Sequence, residues 1–196
     1  MATQIRVNPE SVTSYGKAAQ GHFDTISETL NQLVDDCINV HYFGGNAVKF
    51  KTQAGQMAAD FGNAMSRDMG ACADAIRQST SNIAASLGGQ PINIEVSNKP
   101  VKVGTPQADD GTSDVKTDAL DTLIGTVTTR FDTIRDQVAQ HKSALVATDW
   151  LGDAKDNSVT AVSQFSTNAT TKSTSAQDSL TKFIQGQIES VHTADV

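Results

Sequence analysis

The feature that most constrains the fold of this chain is an internal repeat with an offset of 108 residues. The tetrapeptide Phe23-Asp24-Thr25-Ile26 recurs letter for letter at 131–134. Apolar positions of the first half have mostly apolar counterparts at the same offset, with the exception of Leu33, whose counterpart is His141. No insertion interrupts this register. The sequence therefore predicts a tandem duplication of one structural unit.

Each repeat has the apolar periodicity of two helices. In the first repeat, Asn8-Pro9-Glu10 predicts a helix start, with Asn as the cap, Pro at the first helical position and an acid in the first turn. Two interleaved rows with a spacing of seven then run from Val12 to Cys37. A second stripe begins at Phe50, and Gly88-Gly89 predicts its end. We divide the chain into a first hairpin (1–88), a linker (89–114) and a second hairpin (115–196).

An aromatic-X-Gly triplet separates the two helices of each repeat. The triplets are Tyr42-Phe43-Gly44 and Trp150-Leu151-Gly152, and they obey the same offset. Glycine permits the backbone to reverse, and an aromatic ring can pack two helix ends together. We predict that Tyr42 is a packing residue. For Trp150 two roles stay open, recognition of a partner and packing of the turn.

The predicted fold is all-α. One helical hairpin leaves an apolar face exposed, whereas two hairpins can cover each other as an elongated antiparallel four-helix bundle. The linker is long enough to run the length of such a bundle, and a parallel arrangement would need only a few residues. Within it, 92–96 and 101–103 alternate apolar and polar residues. This pattern fits a β-hairpin or an extended tie on a groove, and we favour the tie because isolated hairpins are marginally stable.

Composition and charge narrow the functional classes. With a net charge of −7, the chain lacks the excess of basic residues that is typical of nucleic-acid-binding proteins. The same charge disfavours binding to anionic membrane surfaces. No apolar run reaches the roughly 20 residues of a membrane span, and no signal-peptide pattern is present. Cys37 and Cys72 are expected to be separate buried thiols. We expect no cofactor, because no phosphate-binding loop or nucleophile motif is present, and no enzymatic activity.

Several polar and flexible residues have ordinary structural explanations. The four histidines have no metal-ligand spacing, so we expect no metal site, and His141 is expected at a bundle edge with a partly wet ring. Asp35-Asp36 and Asp109-Asp110 are expected to be solvated. The methionines at positions 57, 65 and 69 are expected in the core, with an adaptable binding groove as the alternative. Ala169 and Ser173, whose counterparts are Phe61 and Met65, predict a weaker fourth helix.

These motifs resemble the WXG family, the small early-secreted-antigen-like substrates of bacterial type VII (ESX-like) secretion. Trp150-Leu151-Gly152 matches the family triplet, and Tyr42-Phe43-Gly44 is an aromatic variant of it. Ala47 and Phe50 lie where such turns commonly carry a small and an aromatic residue. The resemblance covers both repeats, so the chain is similar to two family members fused into one pseudo-dimer.

The resemblance implies a non-enzymatic, virulence-associated protein of a Gram-positive or actinobacterial cell. It would be made in the cytoplasm, exported without a signal peptide and recognised by the ATPase and membrane machinery of the secretion system. Hairpin pairing within one chain predicts a monomer. Family members usually carry Tyr-X-X-X-Asp/Glu after the second helix, which this chain lacks; the nearest pairs are Phe183 with Gln187 and Val191 with Asp195. The alternative is an intracellular helical scaffold that shares only the hairpin architecture.

Overall fold

The computed structural model describes residues 5–87, 90–97, 99–108 and 117–194. The predicted all-α class is confirmed: these residues form four long helices and two strands of two residues each. The elements are β1 (Arg6–Val7), α1 (Pro9–Ile38), α2 (Ala47–Leu87), α3 (Thr117–Val146), β2 (Trp150–Leu151) and α4 (Asp153–Ala194). The predicted helix end at Gly88-Gly89, the pair Asp109-Asp110 and Asp195 lie outside the described residues.

The helix bounds follow the repeat. α1 and α3 each have 30 residues, and both of their ends are separated by the offset seen in the sequence. The predicted cap of α1 is confirmed, because Asn8 Oδ1 accepts hydrogen bonds from the backbone N–H of Glu10 (3.1 Å) and of Ser11 (3.2 Å). In each repeat, therefore, the same positions carry the first helix and the start of the turn.

The chain forms two compact units, and each takes one stretch from every helix. The Trp150 unit comprises Met1–Ser27, Met65–Asn98 and Arg135–Thr171; the Tyr42 unit comprises Glu28–Ala64, Lys99–Ile134 and Lys172–Val196. The division into two repeats with a linker describes the sequence and stays a prediction about its origin. The two triplets belong to different units.

The core of the Trp150 unit is aliphatic with a few aromatic rings. Phe23 of α1 meets Phe165 of α4 edge to face, with ring centroids 5.6 Å apart. The described linker residues 90–97 add Ile92 and Ile94, which are buried. The space for Ile92 comes from Gly16, where an added Cβ would lie 3.1 Å from the isoleucine side chain. The linker therefore fills a groove that the small residue leaves.

The core of the Tyr42 unit is built in the same way. Phe61 of α2 and Phe131 of α3 pack with centroids 5.0 Å apart. Val101 of the linker is buried over Gly62, and Asn63 binds its backbone twice, donating to the carbonyl (3.1 Å) and accepting from the N–H (2.9 Å). No strand forms in 90–97 or 99–108, so in these stretches the tie is confirmed over the β-hairpin.

The solvent exposure of individual side chains tests the expectations for the cysteines, for His141 and for the methionines. Cys37 and Cys72 are buried and unbridged, as predicted. The placement of His141 at a wet edge is wrong, because its side chain is 0 % exposed. Met65 and Met69 are in the core, while Met57 is half-buried. Among the residues described, none of the helices carries an apolar stretch that could cross a membrane.

Candidate functional site

The two turns share three backbone hydrogen bonds. Three bonds recur at the offset of the repeat: one leads out of the preceding helix, one closes the turn and one opens the following helix. They join Asn39 N to Asp35 O (2.9 Å), Tyr42 N to Val40 O (2.8 Å) and Ala47 N to Gly44 O (2.9 Å) in the first turn, and Ala147 N to Ser143 O (3.0 Å), Trp150 N to Thr148 O (3.0 Å) and Lys155 N to Gly152 O (2.9 Å) in the second. The second turn has two further bonds, from Thr148 N to Leu145 O (3.2 Å) and from Asp156 N to Gly152 O (3.2 Å).

Glycine is required at the third position of both triplets. The φ angle is 143° at Gly44 and 124° at Gly152, in the region that residues with a Cβ rarely adopt. These are the two described residues with positive φ. The glycine of each aromatic-X-Gly triplet therefore reverses the chain, and any other residue there would be strained.

Trp150 lies beneath the second turn. Its side chain is 1 % exposed, and β2 pairs antiparallel with β1 so that Trp150 faces Val7 and Leu151 faces Arg6. Its indole Nε1 is buried without a hydrogen-bond partner among the described residues. Because adjacent residues of a strand point to opposite faces, Leu151 points outward and is 47 % exposed. The ring therefore packs the turn, and Leu151 is the residue of this triplet that a partner can reach.

Residues 6–8, which precede α1, are hydrogen-bonded to the second turn. The Asn8 N–H donates to the carbonyl of Asp149 (3.0 Å), and the Asp149 N–H donates to Ser11 Oγ (2.9 Å). The guanidinium of Arg6 lies 3.1 Å from the Asp149 carboxylate, but both groups are exposed, so this ion pair contributes at most about 1 kcal/mol. The backbone bonds and the strand pairing hold the segment in place.

Tyr42 contacts α4 in the Tyr42 unit. Its ring is buried edge to face on Phe50 (5.6 Å), and Phe50 stacks in parallel on Phe183 (5.3 Å). The Tyr42 hydroxyl accepts a hydrogen bond from Gln187 Nε2 (2.7 Å). Phe183 and Gln187 form one of the two pairs in the sequence that stand nearest to the Tyr-X-X-X-Asp/Glu pattern. The structure brings them together with the first triplet, which sequence reasoning did not foresee.

Phe43 presents its ring to two basic side chains. His41 meets the ring edge to face (4.8 Å), and the Lys51 ammonium lies 4.3 Å from the ring centroid. Lys51 is 1 % exposed, and burial lowers the pKa of its ammonium from the usual range. Sequence reasoning missed Lys51. The available signal was its apolar counterpart in the second repeat, Val159.

A buried polar cluster surrounds His141 in the Trp150 unit. Its Nε2 and the hydroxyl of Tyr15 are 2.8 Å apart, and the ring of His22 stacks on it with centroids 6.4 Å apart. Burial, with a smaller contribution from His22, lowers the pKa of His141 to about 4. Nδ1 of His141 is buried without a partner among the residues described. His141 and Tyr15 are buried, whereas His22 is half-buried and is the member of the cluster that reaches solvent.

An open groove of about 470 Å³ lies between the end of α1 and the start of α3. Val40 and Leu123 contribute apolar surface to it, and Asp35 and Asp36 contribute carboxylates. The Asp36 carboxylate accepts a hydrogen bond from Arg130 Nε (2.8 Å), and both side chains are partly buried. The expectation of fully solvated acids therefore does not hold for Asp36, which joins α1 to α3.

Comparison with known proteins identifies no relative. No family model matches the chain, and no match is found among the curated proteins or among the solved structures. The functional argument therefore depends on the residues and on the geometry of the two turns.

Proposed function

We propose that this chain is a tandem WXG protein, a non-enzymatic substrate or adaptor of a type VII secretion system. In this proposal the two hairpins form an elongated antiparallel four-helix bundle. The second hairpin takes the place of the partner subunit, so the protein acts as a monomer through its surface. Its partners are the secretion ATPase and membrane machinery, and it reaches the outside of the cell without a signal peptide.

The observation that carries the proposal is the repetition of the turn. Two aromatic-X-Gly triplets have the same three turn hydrogen bonds, and both have a glycine with positive φ. A helical scaffold without a shared ancestry of its halves has no reason to repeat an unusual backbone conformation at one fixed offset. The repetition supports two copies of one WXG-like hairpin.

The contact of Phe183 and Gln187 with the first turn supports export. These residues are four apart on α4, so they lie on the same face of the helix. An aromatic ring and an amide stand where the family signal has tyrosine and a carboxylate. The pair lies against the Phe50 ring and the Tyr42 hydroxyl. We propose that these side chains and the first triplet together form a degenerate export signal.

Fractionation of the producing bacterium tests export. The protein should appear in the culture medium of the parent strain, disappear from it when the secretion ATPase gene is deleted, and return on complementation. A cytosolic enzyme measured in the same medium controls for lysis. Retention of the protein in the cytosol of the parent strain, or release that does not depend on the ATPase, would refute the proposal.

Substitutions on α4 test the signal separately. Gln187→Ala should reduce the exported fraction, whereas Gln185→Ala, an exposed glutamine on the same helix, should leave it unchanged. The double variant Phe183→Tyr/Gln187→Glu supplies the tyrosine and the carboxylate of the family motif at these two positions and should raise the exported fraction. Equal export of the two alanine variants, with normal thermal unfolding of both, would remove α4 from the signal without refuting ATPase-dependent export.

A further inference from the structure

Asn63 of α2 binds the backbone of the linker as a neighbouring strand would. Its Nδ2 donates a hydrogen bond to the Val101 carbonyl (3.1 Å), and its Oδ1 accepts one from the Val101 N–H (2.9 Å). Both bonds go to main-chain atoms of the linker, which are the same in every residue except proline. Main-chain bonds are also how the edge of a sheet binds an extended peptide. Asn63 therefore holds an extended segment without selecting the side chain of the residue that it binds.

Two glycines of α2 form the floor on which this segment lies. A Cβ added to Gly62 would lie 3.1 Å from a methyl group of Val101, and one added to Gly55 would lie 3.0 Å from a methyl group of Val103. Val101 is buried and Val103 is half-buried, whereas Lys102 between them is exposed. Because alternate residues of an extended chain point to opposite sides, this floor accepts a β-branched residue at every second position. We call the surface formed by Gly55, Gly62 and Asn63 the α2 groove.

The same arrangement recurs in the Trp150 unit. Gln20 Nε2 donates to the Glu95 carbonyl (3.0 Å), and Gln20 Oε1 accepts from the Glu95 N–H (2.7 Å). Ile92 of the same segment lies over Gly16. Gln20 belongs to α1 and Asn63 to α2, so neither is the counterpart of the other in the repeat. Two independent instances indicate a mode of peptide recognition, in which a side-chain amide binds the main chain and a glycine makes room for a β-branched residue.

The two linker segments differ in how much apolar surface they bury. Segment 90–97 has two buried isoleucines, Ile92 and Ile94, whereas the buried residue of segment 99–108 is Val101. Burial of a larger apolar side chain stabilises more. Segment 99–108 should therefore leave its groove more readily than segment 90–97, and it should do so while α2 stays folded. An open α2 groove presents the Asn63 amide and the space over both glycines to another extended chain.

We propose that the α2 groove is a binding site for an extended peptide of a partner protein with β-branched residues two positions apart, and that linker residues 101–103 are its competing ligand within the chain. The partner peptide would replace Val101 at Asn63 and over Gly62. A second copy of this chain is the less favourable occupant, because an exchanged linker forms the same contacts that it gives up. The site stands on its own geometry and does not depend on export.

A titration of the full chain with a labelled peptide tests the site. The probe is fluorescein-labelled Lys-Pro-Val-Lys-Val-Gly-Thr-amide, the sequence of residues 99–105, and binding is followed by fluorescence anisotropy. The attached linker has a high effective concentration at the groove, so the free peptide binds only the fraction of molecules in which the groove is open. Val101→Ser removes the buried methyl groups of the competing segment, so this variant should bind the peptide at least tenfold more tightly than the wild type.

A second peptide controls for charge, since the probe is basic and the protein is acidic. It has serine in place of both valines, keeps the charge of the probe and should bind neither protein. Absence of saturable binding to Val101→Ser would overturn the proposal. Equal affinity of the two proteins for the probe, or equal affinity of the two peptides for Val101→Ser, would overturn it as well.

Two glycines of the same helix provide a matched pair of variants in the Val101→Ser background. Gly62→Ala places a methyl group against the valine of the bound peptide and should weaken binding at least fivefold. Gly70→Ala adds the same group to the interior of α2, where no atom lies within 4 Å of it, and should change the affinity less than twofold. Equal effects of the two substitutions would overturn the assignment of the groove.

Hydrogen exchange of the wild type tests the release of the segment and remains decisive if Val101→Ser does not fold. The Val101 N–H should exchange at least a hundredfold faster than the N–H of Ala58, which is buried in α2. Equal exchange would mean that the linker and the helix open only together, and it would overturn the proposal. A dimer of the wild type that the peptide dissociates would assign the groove to a second copy and would also overturn it.

Discussion

The buried imidazole of His141 makes the stability of this protein depend on pH in a way that can be calculated. In the unfolded chain a histidine titrates near 6.5, whereas burial lowers the pKa of His141 to about 4 in the folded protein. Because the folded pKa is depressed, the unfolded state binds more protons as the pH falls. His141 therefore contributes stability that is fully present above pH 6.5 and is lost as the pH falls toward 4.

The magnitude follows from the two pKa values. At 1.36 kcal/mol per unit of pKa, the full effect is about 3 kcal/mol, of which about 2 kcal/mol is lost between pH 7 and about pH 4.5. The groups that face or couple to the cluster are Tyr15 and His22 from α1 and Cys72 from α2. Burial raises the pKa of Tyr15, and it raises that of Cys72 to about 12, so neither titrates in this range. His141 is then the buried group of this cluster that accounts for the loss.

The substitution His141→Leu introduces the residue that the first repeat has at this position, Leu33. The free energy of unfolding is measured by urea denaturation at pH 7 and at about pH 4.5. The decrease between these two pH values should be about 2 kcal/mol smaller in this variant than in the wild type. Tyr15→Phe is the matched control. It removes the 2.8 Å contact to His141 but keeps the titrating ring, so its stability should still fall as that of the wild type does.

Comparing the variants with the wild type removes the contribution of the carboxylates to the pH dependence of stability. Carboxylates are present in all three proteins, so their contributions to the pH dependence are shared. The unpaired Tyr15 hydroxyl left by His141→Leu is neutral at both pH values, and its cost affects both measurements equally. If His141→Leu and the wild type lose the same stability between the two pH values, the reasoning from burial to pKa is wrong.

Two further predictions concern the local structure of the repeats. Gly152→Ala should lower the free energy of unfolding by more than about 1 kcal/mol, because φ is 124° at this residue. Gly45→Ala is the control, since Gly45 follows the other glycine with positive φ and lies in open space; this variant should not lose stability. Equal losses in the two variants would contradict the argument from the backbone angle. Asn8→Ala should cost about 1 kcal/mol in urea denaturation, since the N–H groups of Glu10 and Ser11 lose their acceptor, and Asn8→Ser should recover most of it.

The sequence predicts those features of the fold that depend on local periodicity and capping. The start of α1 at Pro9 follows from Asn8 as the cap, and the helical class follows from the rows of apolar residues. A fixed offset also transfers each position of one repeat to the other, which is why the two turns could be paired before any coordinates were known. Hydrogen bonds within one turn or one helix are encoded by neighbouring residues, and such bonds are accessible to sequence reasoning.

Features that depend on contacts between distant residues were not predictable. The pairing of β1 with β2 involves two residues on each side, too short a pattern to recognise. The burial of His141 and Lys51 was missed because residue type argues for exposure, whereas the neighbours decide it. His141 is accommodated by the Tyr15 hydroxyl, and Lys51 by the Phe43 ring. In both cases the apolar counterpart in the other repeat was the available sign of a buried position.

Such exceptions are expected if the chain is, as we propose, a fusion of two repeats. In a symmetric homodimer each subunit presents the same residues, so a substitution at one turn is imposed on the other. Within one chain the copies are free to diverge, and they have done so at Leu33 against His141, Lys51 against Val159 and Gly45 against Asp153. The shared positions maintain the turn geometry, so selection for the fold alone does not account for the polar differences. A function specific to this chain is therefore best sought where the repeats disagree.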